Sequence, residues 1–373
     1  MLYLGIDQHS KQLTISVRDE DGTVVQRRQV STRPERFEPF LQELCIAAEP
    51  RGGFMAIVEV CGFNEWLLQR LEEAGCREIV LIHPDKRAKR KTDRRDAQAL
   101  SEVLWLNRLR LAEGQRPRGL RRVVIPTRLE KQLRDLTSMR QRMGRLRTRM
   151  LNQVQGLLRR HNLVWECPTK LFQTQAVRRW LAGLAGSPSA HRLSRLERMQ
   201  LFHWLEQWKL YDGQIAELNV QIERWARHVP TVGLLRSVPG MGQYSALALA
   251  ARIGDIKRFP HPRSLANYFG LTPGCRNSGE ATHRLGSITK DGSRIARFLL
   301  GQLVLHVLKH DARMRQWYQQ VKSRRGSKIA RVAVMRRLTT ILWYMLKNGE
   351  LYEVSRTRQV RQVARRTPAK TQN

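Results

Sequence analysis

Two hydrophobic periods alternate along the first 112 residues of the chain. Five stretches are apolar or alternate with a period of two, which is typical of β-strands; they are residues 2–7, 13–19, 23–30, 54–60 and 78–83. Three further stretches repeat every three to four residues, as amphipathic helices do; they are residues 35–48, 64–74 and 92–112. The resulting order, βββαβαβα, predicts an α/β domain over residues 1–112, with an antiparallel meander followed by parallel strands and crossover helices.

Two longer helical patterns follow. Apolar residues recur every three or four positions over residues 126–160 and again over 192–228, separated by a break with Gly, Ser and Pro at 183–189. The pattern predicts a basic, coiled-coil-like helical linker over residues 113–228. Its two helices could fold back on each other or pair between subunits, and the apolar stripe is equally consistent with ordinary core packing.

The remainder of the chain changes character twice. Glycine and proline are frequent up to residue 300, and a helical pattern returns over residues 303–348. We predict a mainly helical C-terminal domain over residues 229–350. The last segment, residues 351–373, is basic without an apolar stripe and is expected to be a flexible tail. The predicted fold class is therefore α/β plus α.

Charge narrows the choice of partner. The chain has 68 Lys and Arg against 32 Asp and Glu, a formal net charge of +36 and a pI near 11.4. Arginine is suited to bidentate phosphate contacts, so the balance indicates a polyanion, above all nucleic acid. A membrane surface is the rival, but the sequence has no long apolar run and no signal-peptide pattern, which predicts a cytoplasmic location.

Four carboxylates occupy positions that suit a metal site. Asp7 ends the first strand, Glu59 lies on the fourth, and Asp93 and Asp96 are three residues apart on one helix face. In an RNase H-type fold, such positions converge at one sheet edge. Hard oxygen ligands hold the two Mg²⁺ or Mn²⁺ ions that phosphodiester chemistry requires. Taken singly, Asp7 could end a turn, Asp93 could cap its helix, and Asp96 could pair with neighbouring cations.

A second group of residues lies in the C-terminal third. The sequence "PGMG", with Gly240 and Gly242, is similar to the turn of a helix-hairpin-helix module, whose backbone N–H groups face a phosphate. Ser278 lies in a loop and could attack phosphorus if nearby cations stabilised the charge, although loop serines are ordinarily turn residues. The candidate nucleic-acid contacts are Lys91, Arg134, Arg142, Arg145, Gly240, Gly242, Arg276, Arg284 and Lys290.

The combination of motifs resembles one known family. The blocks that carry the resemblance are "YLGIDQHS", "AIVEVCGFNEWLLQRL", "KRKTDRRDAQALSEVL", "VPGMGQYSALALAARIGDIKRF", "LANYFGLTPGCRNSG" and "GSITKDGSRIARFLL". They occur in the order found in the DEDD transposases of bacterial insertion sequences, the bridge-RNA-guided recombinases, which include the pilin-gene invertase type. The match runs from about residue 1 to 345.

The resemblance implies a fold and a chemistry. It implies a RuvC-like N-terminal domain whose metal-binding tetrad is Asp7, Glu59, Asp93 and Asp96, and a C-terminal domain with Ser278 as nucleophile. The family often has two serines before the glycine, whereas Asn277 precedes Ser278 here. The resemblance further implies a covalent serine–DNA intermediate, donor and target DNA, a structured guide RNA encoded by the element, and a homo-oligomer, either a dimer or a tetramer.

Two other functions are compatible with the sequence. A RuvC-like nuclease would hydrolyse DNA junctions with two metals and water, and Ser278 would then be dispensable. A non-enzymatic scaffold would package RNA or DNA through its arginine-rich helices, and binding would show only the steep salt dependence of phosphate contacts. The scaffold does not explain why four acids occur in an RNase H-like order, and the recombinase is the hypothesis that the sequence favours.

Overall fold

The computed structural model describes residues 1–83, 93–186, 192–275 and 285–353. The chain divides into two compact units, Met1–Ile125 and Pro126–Asn373, and each contains its own hydrophobic cores. The finer division predicted from the sequence, with boundaries after residues 112, 228 and 350, stays a prediction.

The first unit is built on a five-stranded sheet. Its strands are β1 Leu2–Gln8, β2 Gln12–Arg18, β3 Val24–Ser31, β4 Phe54–Glu59 and β5 Glu78–Ile82. The strand order is β3-β2-β1-β4-β5, with β1–β2 and β2–β3 antiparallel and β1–β4 and β4–β5 parallel. The predicted meander followed by parallel strands is therefore confirmed.

Helices cover both faces of this sheet. They are α1 Pro34–Ala48, α2 Glu65–Glu73, α3 Asp93–Leu106 and α4 Arg108–Ala112. Alternate residues of β1 point to opposite faces: Leu4 joins the core with α1 and α2, whereas Tyr3 joins the core with α3 and α4. Because its central strands are covered on both sides, the sheet reads as continuous apolar runs in the sequence.

A helix that the sequence predicts as continuous is divided into two in the structure. The predicted helix over residues 92–112 is interrupted at Asn107, which lies between α3 and α4. The Asn107 side chain is buried and bonds to backbone groups, donating to the Val103 and Arg118 carbonyls and accepting from the Arg118 N–H. Such side-chain bonds compete with helical ones, so the helix ends there.

The second unit is mostly helical. Its helices are α5 Arg128–Arg160, α6 Gln175–Gly186, α7 Arg195–His228, α8 Pro230–Arg236, α9 Gln243–Ile253, α10 Pro262–Tyr268, α11 Arg294–His310, α12 Ala312–Arg325 and α13 Ser327–Asn348. A short antiparallel pair, β6 Pro273–Cys275 and β7 Leu285–Ile288, precedes α11. The predicted break at 183–189 begins later than expected, since α6 continues to Gly186.

The two long helices pack against each other within one chain. Arg140 contacts Asn219 at one end, Arg147 pairs with Asp212 further along, and His161 bonds to Glu197 at the other end. Because the contacting residue on α7 falls in number as that on α5 rises, the helices run antiparallel. The structure therefore places the predicted apolar stripe in an intramolecular hairpin.

The C-terminal helices form the largest core. Residues of α8 to α13 are buried together, and Leu133 from α5 and Ile222 from α7 join them. The single helical stretch predicted over residues 303–348 is divided into three helices. Asp311 caps α12 by accepting from the Met314 N–H, and Gly326, with φ +79°, ends that helix.

Among the described residues, no helix is long and apolar enough to cross a membrane. Among the described side chains, Cys45, Cys61, Cys76 and Cys167 are free thiols.

Candidate functional site

Two of the predicted acids end neighbouring parallel strands. The register of β1 and β4 pairs Ile6 with Val58, so Asp7 and Glu59, one position further along each strand, lie side by side at the same sheet edge. Both also belong to the same face. Asp7 alternates in phase with Tyr3, and Glu59 alternates in phase with Ile57, and these two apolar residues pack under α3.

Helix α3 lies directly on the first strand at Gly5. A Cβ atom at this position would lie 2.2 Å from the Ala97 carbonyl oxygen and 2.3 Å from the Ser101 backbone nitrogen. Only glycine permits such a close approach of helix and strand. The backbone of α3 is therefore in direct contact with the strand that carries Asp7.

The direction of α3 follows from contacts along its length. Ser101 Oγ lies 3.1 Å from Ser16 Oγ, opposite the middle of β1, and Trp105 Nε1 donates to the Glu20 carbonyl beyond the strand's beginning. The helix thus runs antiparallel to β1, and its first turn lies toward the edge where Asp7 and Glu59 end. Asp93 and Asp96 belong to this first turn.

The structure therefore brings the four predicted positions to one edge of the sheet. Asp96 is half-buried, and it precedes the buried Leu100 by one helical turn. The backbone of Asp93 begins α3, while its side chain lies outside the described residues. Among the described side chains, no group of three His, Cys, Asp or Glu forms a complete metal site.

The donor set nevertheless fits a divalent cation. Three of the four acids have described side chains, and all four supply the carboxylate oxygens that Mg²⁺ and Mn²⁺ prefer. The Asp7 side chain is 17% exposed, and its Oδ2 lies 3.3 Å from His9 Nε2. An ion at this edge would be reached from solvent while being held by a rigid strand.

A buried amide network holds the two strand ends together. Asn64 Nδ2 donates to Gln8 Oε1 at 2.7 Å and to the Glu59 carbonyl at 3.0 Å, and Asn64 Oδ1 accepts from the Cys61 N–H. Gln8 Nε2 in turn donates to the Phe63 carbonyl at 3.1 Å. The network fixes the chain that follows each of the two acids, because every amide group involved is satisfied.

Sequence analysis missed these amides. Gln8 and Asn64 are each 7% exposed, yet an amide at a strand end and one before a helix are ordinary in sequence. Their only signal is position, since Gln8 follows Asp7 directly and Asn64 follows the strand that carries Glu59.

The predicted serine loop is described only at its base. Ser278, Arg276 and Arg284 lie outside the described residues, as does Lys91 in the first unit. The β6–β7 pair connects to this loop on both sides. Lys290, just beyond β7, is exposed and has φ +57°, a conformation uncommon for a residue other than glycine.

Two glycines and one arginine fix the base of that loop. Cβ atoms at Gly270 and Gly292, both at positive φ, would lie 2.0 Å from the Asp291 carbonyl oxygen and 2.1 Å from the Tyr268 carbonyl oxygen, respectively. Arg297 Nη1 donates to the carbonyls of Phe269, Asp291 and Gly292. Burial lowers the pKa of Arg297. The sequence signal was "KDGSRIAR", in which this arginine was not singled out.

The "PGMG" turn connects α8 to α9 as expected for a helical hairpin. Gly240 has φ +82°, and a Cβ atom there would lie 2.3 Å from His306 Cβ on α11. Gly242 is exposed and is the N-cap of α9, without a side-chain capping bond. The first N–H groups of α9 are thus accessible to an anion.

The three predicted arginines on α5 differ in their surroundings. Arg142 and Arg145 are exposed. Arg134 is half-buried, and its Nε donates to the Ala251 carbonyl at 2.7 Å. Nearby Arg252 is buried between α5 and α9, where it donates to Thr137 Oγ1, Ser138 Oγ and the Ala248 carbonyl. These hydrogen bonds join α5 to α9. Burial lowers the pKa of Arg252 to about 10.

Known proteins are similar to this chain along nearly its whole length. The transposase for insertion sequence element IS1111A of Coxiella burnetii is 25% identical over 94% of this chain and 90% of its own. A probable family 20 transposase of Pseudomonas aeruginosa is 28% identical over 94% of this chain and 98% of its own. The pilin gene-inverting protein of Moraxella bovis is 26% identical over 40% of this chain and 47% of its own.

Two family models match in succession. The model DEDD_Tnp_IS110, described as a transposase, matches residues 4–163, and the model of the IS116/IS110/IS902 transposase family matches residues 232–319. The first match contains the sheet edge with the four acids, and the second contains the helical hairpin and the serine loop. The chain therefore contains, in succession, matches to both domains of the IS110/IS116/IS902 transposases, and it is a DNA transposase.

Proposed function

We propose that this protein cuts and rejoins DNA at specific sites through a covalent serine–DNA intermediate, with a divalent metal ion at the sheet edge of the first unit. Asp7, Glu59, Asp93 and Asp96 would hold Mg²⁺ or Mn²⁺, and Ser278 would be the nucleophile. The proposal also includes a structured guide RNA that specifies donor and target DNA, and a homo-oligomer as the working assembly.

One observation carries the metal-site part. Asp7 and Glu59 end adjacent parallel strands on the face covered by α3, whose first turn supplies the other two acids. The strand order β3-β2-β1-β4-β5, with an antiparallel meander and two parallel strands, is the arrangement expected of an RNase H- or RuvC-like domain. A bound divalent ion would neutralise charge on the scissile phosphate and polarise it for attack.

The residues around this edge have separable tasks. The carboxylates would orient the ion, and the Gln8–Asn64 network would hold the strand ends so that Asp7 and Glu59 keep their spacing. His9, 3.3 Å from Asp7 Oδ2 and half-exposed, is placed where it could approach a phosphate oxygen.

The serine step exchanges one phosphate ester bond for another, so no energy source is needed to rejoin the DNA. Attack of Ser278 Oγ on phosphorus would form a serine–phosphate ester, break the bond to one strand end and release that end as a hydroxyl carrying the serine's proton. The reverse attack by a second strand end would restore the serine and join the DNA. The fixed base formed by Gly270, Gly292 and Arg297 supports this proposal, because a nucleophile must be presented in a defined geometry.

The nucleic-acid partners are supported by charge. A net charge of +36 favours polyanionic partners, and exposed arginines occur along the 33 residues of α5. Together with the resemblance to RNA-guided recombinases, this charge supports simultaneous binding of DNA and guide RNA.

A covalent-trap assay tests the serine step. Full-length protein, RNA transcribed from the element's flanks, labelled donor and target DNA, and Mg²⁺ would be incubated and run on a denaturing gel. We expect a protease-sensitive shifted DNA band that Ser278→Ala abolishes. Ser287→Ala, which changes an exposed serine on β7, is the matched control and should retain the band. Cleavage without an adduct, equal in wild type and Ser278→Ala, would instead establish a nuclease that uses water.

The metal site is tested by Asp7→Asn. This change removes one ligand charge while keeping the side chain's shape, so cleavage should be abolished and DNA binding retained. Asp21→Asn, in the exposed hairpin turn between β2 and β3, is the matched control and should cleave normally. Near wild-type cleavage by Asp7→Asn would show that Asp7 does not hold the metal.

A further inference from the structure

An open groove lies within the second unit, where α5, α9 and α11 meet. Its volume is about 690 Å³. The residues that give it its chemistry are Arg140, Arg145, Arg147, Arg149, Tyr244 and Phe298. We call it the arginine groove. All of its lining residues belong to the second unit, and among these residues only Arg145 was predicted to contact nucleic acid.

The charge of the groove is of one sign. Four guanidinium groups line it, and no Asp or Glu is among its described lining residues. Arg147 pairs with Asp212 through Nη1, and Arg140 bonds to Asn219 through Nε, which leaves further N–H groups on both side chains. Arg145 and Arg149 are exposed. Planar guanidinium groups in this density match phosphate oxygens.

The groove also contains buried polar atoms that the rest of the described structure does not satisfy. Gln141 is 7% exposed, and its Nε2 has no hydrogen-bond partner among the described residues. Arg147 Nε and Tyr244 Oη are in the same state, and so is the acceptor Gln153 Oε1. Buried polar atoms are normally paired. A ligand that offers both acceptors and donors would satisfy them, and a phosphate alone offers acceptors only.

One aromatic ring is available for stacking. Phe298, on α11, is 47% exposed at the groove. The Tyr244 ring already has the Arg140 guanidinium over it, 5.2 Å from its centroid. An exposed ring beside arginines and amides is the combination by which proteins hold unpaired nucleotides, with bases stacked and phosphates on the cations.

We propose that the arginine groove binds an unpaired segment of nucleic acid. A phosphate lies against Arg145 and Arg149, a base stacks on Phe298, and the base edge bonds to Gln141 and Gln153. A duplex keeps its bases stacked inside and offers this groove only its phosphates. The inference rests on the proposed function for the choice of nucleic acid as partner and adds the strand state and the place of binding.

The test compares two exposed phenylalanines. Phe298→Ala removes the ring from the groove, and Phe202→Ala removes an equally exposed ring (53%) from α7, outside the groove. Fluorescence anisotropy of the full-length variants would measure affinity for three probes of one sequence: single-stranded RNA, single-stranded DNA and duplex DNA. Thermal unfolding of each variant would confirm that neither change alters the fold.

We expect Phe298→Ala to weaken binding of a single-stranded probe by at least about fivefold, the lower end of the effect of losing one stacked base. Duplex binding should change less than twofold, and Phe202→Ala should change none of the three affinities. Preference for the RNA or the DNA probe identifies which strand occupies the groove. Single-strand binding within twofold of wild type, or an equal loss with duplex DNA, would overturn the proposal.

Crosslinking separates this inference from the proposed function. A single-stranded probe with a photoreactive base should crosslink to the peptide that contains Phe298, and Arg145→Ala/Arg149→Ala should reduce the yield. Crosslinking elsewhere only would contradict the groove as the binding site. Crosslinking at the Phe298 peptide without a Ser278 adduct would support the arginine groove and contradict the proposed recombination. A Ser278 adduct without crosslinking at the Phe298 peptide would support the recombination and contradict the groove as the binding site.

Discussion

At the residue scale, the sheet edge depends on small and uncharged residues as much as on the acids. Gly5 lets α3 touch β1, and the amides of Gln8 and Asn64 hold the strand ends. The acids could be predicted because carboxylates on strands are unusual and costly to bury. The glycine and the amides could not, because their role exists only once the strand ends and the helix have been brought together.

Gly5→Ala should therefore destabilise the first unit. The added Cβ meets backbone atoms at 2.2 and 2.3 Å, which cannot move without displacing the helix. We therefore expect a loss of about 3 kcal/mol in the free energy of unfolding, the upper end of the usual cost of overpacking. Urea unfolding would measure it. Gly62→Ala, where nothing lies within 4 Å, is the control and should change stability little. Equal stability of both variants would contradict the close packing of α3 on β1.

At the element scale, capping chemistry decides where the long helices begin. Thr127 with Glu130 and Ser194 with Glu197 form capping boxes at the starts of α5 and α7. Both signals are local, four residues long, and visible in sequence. The end of α3 is the opposite case, since the bond between Asn107 and the Arg118 backbone joins residues that only the fold brings together.

The cap of α7 predicts a dependence of stability on pH. The Ser194 backbone N–H, then His161 and the Ser194 hydroxyl, lower the pKa of Glu197 to about 2, against an ordinary value of 4.5. A lowered folded-state pKa means that the ionised cap contributes stability above about pH 4.5, and that this contribution is lost as the pH falls toward 2.

Glu197→Gln should accordingly lower the melting temperature at pH 7, and the difference from wild type should shrink between pH 4.5 and pH 2. Thermal unfolding followed by circular dichroism at several pH values in this range would measure it. Glu206→Gln, an exposed position on the same helix, is the matched control and should show a small, pH-independent difference. A Glu197→Gln difference that stayed constant down to pH 2 would contradict the capping role.

At the scale of the whole molecule, the candidate metal site and the arginine-rich helix belong to different units. The four acids lie in the first unit, and the long helix lies in the second. The same asymmetry is visible in the sequence, because acidic residues outnumber basic ones over residues 1–80 and basic residues predominate in the remainder. Which arginines are accessible is a tertiary matter, since Arg252 is buried between α5 and α9 and Arg134 bonds to the Ala251 carbonyl, whereas Arg142 and Arg145 are exposed.

The exposed pair predicts a change in salt dependence. If Arg142 and Arg145 each neutralise one phosphate, the double alanine variant should reduce the slope of log K against log salt for duplex DNA by about 1.8. Arg195→Ala/Arg224→Ala removes the same charge from exposed positions on α7 and should leave the slope nearly unchanged. Binding isotherms at four salt concentrations would measure both. Identical slopes for wild type and the α5 variant would show that this face of α5 does not contact DNA.

The sequence by itself determined most of the secondary structure and indicated a chemistry for this protein. Hydrophobic periods of two and of three to four gave the strands and helices, because side chains of β-strands and α-helices face the core with those spacings. Charge and the four acids indicated phosphodiester chemistry, because arginines suit phosphate contacts and grouped carboxylates suit divalent metal ions.

Only the tertiary structure determined which distant residues are neighbours in space. The pairing of β1 with β4 placed Asp7 beside Glu59, the antiparallel course of α3 brought its first turn to the same edge, and the α5–α7 hairpin settled where the apolar stripe is buried. The arginine groove has no sequence signature either, since its walls come from three separate helices, with lining residues from Arg140 on α5 to Phe298 on α11. Contacts between distant segments depend on packing and register, and neither is encoded in any local pattern.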